Sequence, residues 1–392
     1  MDDAAPRHAR RRRHGPGAFV AGIVAAVVVC ALTATSAVAA VVWNTFSKEL
    51  AASTVTISET DAPPPDLGAI EGGFNILIVG SDERGCDGCD IDGSDEGGVL
   101  NDVNILLHVA QDQGSAVAVS FPRDLDISGY DTCAWSQMNT GLAAGGLPCV
   151  VNEVETITGL PVQFAGLITF AGVINVSDAI GGVDVCTTGP IVDPDGSGID
   201  LPAAGTYTLQ GYQALAFLRT RQGVGDGSDL GRISSQQVYL SSLVRKLKSG
   251  GVLGDMTQLF YLAQTILGNM QLSQSLANPY TLIQLALVLK NLPLNRVTFV
   301  QWPTHYEPSP DGTKSLVETS QAAADSLTSL IAADQPFVLP AVGDDRGSTA
   351  DPNGALTPEQ QEQLADNAGL PVLDGVTGQT AADFSCSVPF GE

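Results

Sequence analysis

Residues 18–43 hold 26 positions without a single charge, and no other feature limits the possible folds of this chain as strongly. The run exceeds the roughly 20 residues that cross a bilayer as a helix. Arg7 and the cluster Arg10, Arg11, Arg12 and Arg13 precede it, and basic flanks stay on the cytoplasmic side. The expected arrangement is a basic cytoplasmic tail at 1–17, a transmembrane signal-anchor helix at 18–43, and a single-pass protein of the cell membrane whose C-terminal part is extracytoplasmic. A cleaved signal peptide is the competing reading, because Ala37-Val38-Ala39 fits a small-residue cleavage site. Residues 44–72, with Pro63, Pro64 and Pro65 among serines and threonines, read as a stiffened linker.

Charge narrows the choice of partners. The 392 residues carry a formal net charge of −25, and residues 1–14 contribute five arginines and two aspartates to it. The remainder holds 13 basic and 41 acidic residues, a net charge of −28. A body without a basic surface cannot neutralise a run of phosphates, which excludes nucleic acid. Any anionic ligand must be held by a local cluster of cations.

Short apolar runs alternate with helical patterns from residue 73 to about 335, as in α/β domains. Residues 74–80 read as a buried strand ending in Ser81, Asp82, Glu83 and Arg84. An Asp- and Gly-rich loop at 90–98 looks like a calcium site in composition, but its spacing fits no EF-hand, and a solvated acidic loop is the simpler reading. A second strand, 103–109, follows Asn101 and Asp102 and carries His108 as a structural residue. A third, 116–121, ends in Pro122, Arg123 and Asp124. Helical patterns at 137–160, 170–180, 211–218 and 230–248 are interleaved with strands at 161–168, 183–186 and 207–209. Residues 256–289 carry no charge. Gly268, Asn269 and Pro279 argue against a second membrane span, so two buried helices are expected, either as core or as a wall for a long hydrocarbon tail. A strand at 296–301 and an amphipathic helix at 316–334 follow. Residues 336–392 read as a loosely structured acidic tail with one helix at 358–368.

Arg219, Arg221 and Arg232 fall within fourteen residues of a chain that otherwise hardly uses arginine. On an extended segment, side chains two apart point the same way. Arg219 and Arg221 would then form a cationic claw, and the guanidinium fork matches pairs of phosphate oxygens. Asp229, Arg232 and Gln236 share a face if their segment is helical. Surface salt bridges are the bland reading of any one of these arginines. Their concentration beside a glycine-rich loop, with Arg84 near Asp82 and Arg123 beside Asp124 at two strand ends, points to one anion-binding cleft.

Cys30 lies in the apolar run, which leaves Cys86, Cys89, Cys133, Cys149, Cys186 and Cys386 in an oxidising compartment. Six cysteines allow fifteen pairings. Cys133–Cys149 with Cys186–Cys386, leaving Cys86–Cys89, is the set adopted. A zinc site would need better placed histidines, and a redox Cys-x-x-Cys would need a thioredoxin context.

Residues 75–84 (Asn-Ile-Leu-Ile-Val-Gly-Ser-Asp-Glu-Arg), 121–124 (Phe-Pro-Arg-Asp), 178–185 (Asp-Ala-Ile-Gly-Gly-Val-Asp-Val), 209–221 and 229–237 follow, in order and spacing, the pattern of the LytR-CpsA-Psr family. The chain resembles that family over about 70–335. The resemblance implies an α/β domain at 73–335 with a central mixed sheet flanked by helices and a buried polyprenyl channel. It also implies a phosphotransferase attaching a glycopolymer from a polyprenyl-pyrophosphate carrier to peptidoglycan. By the same match, Asp82 and Asp102 would hold Mg²⁺, a hard ion suited to few carboxylates. Arg123, Arg219, Arg221 and Asp229 would be catalytic, while Arg84, Arg232 and Gln236 would bind substrate; Asp124 is a weaker candidate for a base. Two positions depart from the pattern. Leu100 and Ser235 stand where the family usually has arginine, which makes a catalytically weakened prenyl-phosphate or wall-polymer binding scaffold or sensor the alternative.

Overall fold

The computed structural model describes residues 54–57, 73–83, 99–134, 136–249, 253, 255–277, 279–308, 315–351, 361 and 366–391. The expected transmembrane helix, Arg84, Cys86, Cys89, the 90–98 loop and most of the linker lie outside the described residues, as does most of the expected 358–368 helix. Among the described residues no helix is long and apolar enough to cross a membrane. The fold belongs to a unit spanning Ser53–Glu392.

In chain order the strands are β1 (Thr54–Val55), β2 (Phe74–Ser81), β3 (Asn101–Val109), β4 (Ala116–Phe121), β5 (Phe164–Ile168), β6 (Val183–Thr187), β7 (Ile191–Asp193), β8 (Ile199–Leu201), β9 (Gly205–Leu209), β10 (Met270–Ser273), β11 (Val297–Gln301), β12 (Thr304–Pro308), β13 (Ser315–Thr319), β14 (Ser348–Ala350), β15 (Gly378–Thr380) and β16 (Ser385–Ser387). The helices are α1 (Gly141–Thr158), α2 (Phe170–Ile180), α3 (Tyr212–Arg219), α4 (Asp229–Ser249), α5 (Met256–Asn269), α6 (Pro279–Asn291) and α7 (Gln321–Ala332). Eight strands form a mixed sheet in the order β1-β10-β5-β2-β3-β4-β11-β15. β2 runs parallel to β5 and antiparallel to β3, and β4 runs parallel to β11. A second sheet, β14-β16-β6-β9, stands beside α4.

The two faces of the main sheet differ. Successive side chains on a strand point to opposite faces. Leu77 and Val79 of β2 join Val117, Val119 and Phe121 of β4 in a core closed by Leu147, Val150 and Val154 of α1 and Leu327 and Ile331 of α7. Ile76 and Ile78, one step out of phase, instead line an apolar cavity of about 290 Å³. Its remaining wall comes largely from residues 259–289, including Leu262, Ile266, Leu285 and Leu289. The uncharged stretch therefore forms two helices, as expected, with β10 added between them.

Three expectations are corrected. Thr54 and Val55, read as linker, pair with β10 because β-branched residues suit an edge strand. Residues 316–319, read as the start of a helix, belong to β13 and pair with β12, and α7 begins only after Ser320. The described part of 336–392 is no loose appendage. β15 extends the main sheet, and β16 pairs with β6 beside the Cys186–Cys386 disulfide. The composition misleads because the aspartates are used in turns: Asp344 accepts from the backbone of Arg346 and Gly347, and Asp383 from that of Thr380. Glycine permits the close approach, since a Cβ on Gly347 would collide with the Gly231 carbonyl.

Both described disulfides are those adopted from sequence, Cys133–Cys149 and Cys186–Cys386. Each pair lies near a carboxylate, Glu153 or Asp351, but sulfurs joined to each other are not thiolate ligands, which removes zinc from these positions. Glu153 is fully buried, and its Oε2 has no hydrogen-bond partner among the described residues. Burial pushes its pKa up to about 8. A carboxyl raised in the folded state binds its proton more tightly there, so stability falls as pH rises from the ordinary Glu range through about 8. Glu153→Gln is expected to stabilise the protein at pH 8 but not at pH 4. The difference should be on the order of 3–5 kcal/mol in urea unfolding, since the rise from 4.5 to about 8 spans several pKa units, each worth about 1.4 kcal/mol.

Candidate anion site

The site is assembled from strand ends and one helix. β3 begins with Asn101, whose buried amide donates to Asn104 Oδ1 at 2.9 Å and to the Met138 carbonyl at 2.7 Å, while its oxygen accepts from Leu142 N at 3.0 Å. That anchoring sets the direction of the next side chain, Asp102. Arg123 follows the end of β4 and donates through Nη1 to Asp102 Oδ1 at 2.6 Å, with Nε 3.4 Å from Asp124. Arg219 closes α3, and its guanidinium lies 4.3 Å over the ring of Phe170. Thr220 is extended, so Arg221 continues past the helix end.

Asp229, the first residue of α4, ties these pieces together. Its Oδ2 accepts the Arg123 N–H at 3.0 Å, and its Oδ1 faces Arg221 Nη2 at 3.6 Å and pairs with Arg232 Nη2. Arg232 also donates to the Asp102 carbonyl at 3.0 Å. Four residues along, on the same side of α4, Gln236 donates to the Leu218 carbonyl at 2.7 Å and holds the end of α3 in place.

Asp102, Arg123, Arg219, Arg221, Arg232 and Gln236 line one cavity of about 280 Å³. The rest of its wall is mainly apolar, including Ile78, Ile105, Phe170, Val173, Leu215 and Leu240. Ile78 also lines the apolar cavity under α5 and α6. Burial works against the Arg123 charge, but Asp102, Asp124 and Asp229 outweigh it and raise the pKa. Burial, then repulsion from Arg232 and Arg123, holds Arg221 below the ordinary arginine range against the pull of Asp229. Arg232 Nε is buried without a hydrogen-bond partner among the described residues. An anion entering this cavity would relieve the crowding of like charges.

Not every expected residue joins the cavity. Asp82 sits at the end of β2, where its Oδ1 accepts from Leu100 N at 2.7 Å, and it does not line the wall. Asp124 is likewise absent from the lining. Asp102 suits a hard cation through one oxygen: Oδ1 is taken by Arg123, while Oδ2, 4.0 Å from Arg232 Nη1, belongs to a carboxylate on the wall of an anion cavity. Neither Leu100 nor Ser235 lines the cavity. Leu100 is engaged with Asp82, and Ser235 points away from the cavity, its hydroxyl 2.9 Å from Ser387 of β16. Phe170 and the Asn101 anchor were missed from sequence. Position alone could have suggested Phe170, which follows the end of β5, the edge where α/β sheets bind ligands.

The domain is thus a mixed α/β fold whose cavity sets four arginines against apolar walls, a lining with the chemistry to hold an anion beside an apolar group. The profile of the LytR_cpsA_psr family matches residues 40–331, and the chain belongs to that family. It is similar to the cell wall biosynthesis protein LcpA of Corynebacterium glutamicum, 29% identical over 276 residues, covering 61% of this chain and 51% of that one. It is also similar to the polyisoprenyl-teichoic acid–peptidoglycan teichoic acid transferase TagT of Bacillus subtilis, 27% identical over 257 residues, 64% of this chain and 76% of that one. The chain spans about half the length of the LcpA and LcpB relatives. Among solved structures, TagT bound to LI-WTA superposes with a TM-score of 0.53 at 22% identity, covering 72% of this chain and 98% of that one. The LytR-Csp2A-Psr enzyme from Actinomyces oris gives 0.53 at 22%, covering 71% and 95%. These likenesses establish the shared fold.

Removing the Asp229 charge should be costly, because it strands the buried guanidinium of Arg232. Asp229→Asn is expected to lose about 3–5 kcal/mol in urea unfolding, the usual cost of breaking a buried pair. Asp124→Asn, at a partly exposed position, should lose less than about 1 kcal/mol.

Proposed function

We propose that this protein is a membrane-anchored, Mg²⁺-dependent phosphotransferase that moves a glycopolymer from a polyprenyl-pyrophosphate carrier to a hydroxyl of peptidoglycan. The observation that carries the reading is the junction of two cavities at Ile78, one lined by four arginines and the other wholly apolar apart from Lys248. A prenyl pyrophosphate has the same two-part character. The names of the relatives, as transferases of polyisoprenyl-linked teichoic acid, support the reaction class. The two disulfides support an extracytoplasmic compartment.

In the reaction the acceptor oxygen forms a bond to the phosphorus that carries the polymer. The bond from that phosphorus to the bridging oxygen breaks, its electron pair leaves on polyprenyl monophosphate, and the hydroxyl proton passes to the departing phosphate or to solvent. Arg123, Arg219, Arg221 and Arg232 hold the phosphate oxygens and balance the charge that develops, with little reorganisation because Asp229, Gln236 and Phe170 already fix their positions. The apolar walls exclude water beside the arginines and take the prenyl chain. Asp102, on the cavity wall, would hold Mg²⁺ with Asp82 near by, and the ion would supply charge neutralisation at the pyrophosphate as polyprenyl monophosphate departs.

The test uses the full chain in detergent with a polyprenyl-pyrophosphate oligosaccharide, peptidoglycan fragments and Mg²⁺, following polyprenyl monophosphate and labelled wall product. Arg219→Ala is expected to lower turnover by about 100-fold or more, the usual scale for losing a charge-stabilising donor. EDTA should abolish turnover. Tight lipid binding with no turnover by the unaltered protein would replace the transferase with a binding scaffold.

A further inference from the structure

Arg219 and Arg221 line a second cavity, of about 240 Å³, which shares no other residue with the first. Its other walls are Asp193, Asp195, Gly196 and Ser197, from the turn joining β7 to β8, and Gln222. The two spaces meet at the arginine pair but differ in character. The first is mainly apolar; the second has only polar side chains and a glycine.

The turn is fixed to the arginine pair. Asp193 is 6% exposed, and its Oδ2 accepts from Thr220 Oγ1 at 2.7 Å and from Ser197 N at 3.2 Å. Thr220 lies between the two arginines in sequence and is itself fully buried. Its Oγ1 in turn accepts from Gly223 N at 3.1 Å. Burying a carboxylate is costly unless it is hydrogen-bonded, and here those bonds hold the 194–197 turn against Arg219 and Arg221. Asp195 and Gln222 stay exposed at the rim.

We propose that this polar cavity is the acceptor subsite, taking the sugar ring whose hydroxyl attacks the phosphorus. The inference rests on the transferase reading above. In phosphoryl transfer the entering and leaving oxygens lie roughly in line on opposite sides of phosphorus. With phosphate on the shared arginines and the prenyl chain leaving toward the apolar side, the entering oxygen comes from the polar side. Carboxylate and amide groups such as Asp195 and Gln222 accept from and donate to sugar hydroxyls, while an apolar prenyl chain would gain nothing there. Asp193 is a positioning residue, since its Oδ2 is engaged by Thr220 and Ser197.

The experiment measures transfer by the full chain in detergent at varied donor and varied acceptor, using a disaccharide fragment of peptidoglycan as acceptor. Gln222→Ala and Asp195→Ala are at exposed positions, so both variants should fold. Each is expected to raise the acceptor KM about tenfold, the scale of a lost hydrogen bond to a polar ligand, with donor KM unmoved. An unmoved acceptor KM overturns the proposal. A raised donor KM in its place also overturns it, because the cavity would then hold the donor's polymer. Direct titration of the disaccharide by calorimetry keeps the two readings apart. An unaltered protein that binds the disaccharide through Gln222 but transfers nothing refutes the transferase and keeps the sugar site. One that transfers polymer while the variants bind and use the disaccharide like the parent refutes the sugar site alone.

Discussion

The carboxylate of Asp229 is the contact on which the arrangement depends. It is buried at the first turn of α4, where a negative charge is favoured by the helix dipole. There it meets the backbone of Arg123 and the side chains of Arg221 and Arg232, which arrive from three different segments. A buried charge with a single partner is seldom worth its desolvation. With three partners it becomes a fixed hub, and the guanidinium edges it does not occupy face the cavity.

The sheet beneath that hub divides the labour between its faces. One face is filled by α1 and α7, and the apolar area removed from water there supplies stability. The opposite face is left hollow between β2, β3 and the helices α4, α5 and α6. The hollow depends on the C-terminal strands as well. α4 is buried almost all round at its N-terminal half yet carries Ser234, Ser235, Gln236 and Gln237. Ser234 and Ser235 are tolerated there because Asp344, Ser348 and Ser387 give them polar partners on the far side, where Gln379 also donates to the Gln237 carbonyl. A segment that reads as an appendage thus holds the back of the helix whose front carries Arg232 and Gln236.

Much of this was legible in the residues. β4 and α2 have the expected bounds, because an unbroken apolar run and a helix closed by Gly181 and Gly182 leave little choice. The arginine cluster announced itself by its rarity in an acidic chain, and all three members reached one cavity along with Arg123. The failures share a cause. Asp344, Asp383 and the glycines around them look like solvated loop until their partners, Ser234 and the backbone of distant segments, are known. Likewise the partner of Ser235, Ser387, lies 152 residues away and could not be read from the residues around it.

The sequence by itself determined which chemistry is available: a few arginines and aspartates at strand ends, an uncharged stretch able to wall an apolar space, and cysteines suited to pairing. Local rules suffice for that, since periodicity, glycine stops and charge scarcity act over a few residues. Only the tertiary structure decided which of these groups meet. Asp102 was drawn to Arg123, 21 residues away, Asp229 to the backbone of Arg123, 106 residues away, and Ser235 to Ser387, 152 residues away. Pairings across 20 to 200 residues depend on which strands lie side by side and which way a helix is turned. Those are properties of the packed sheet, and no short window of residues contains them.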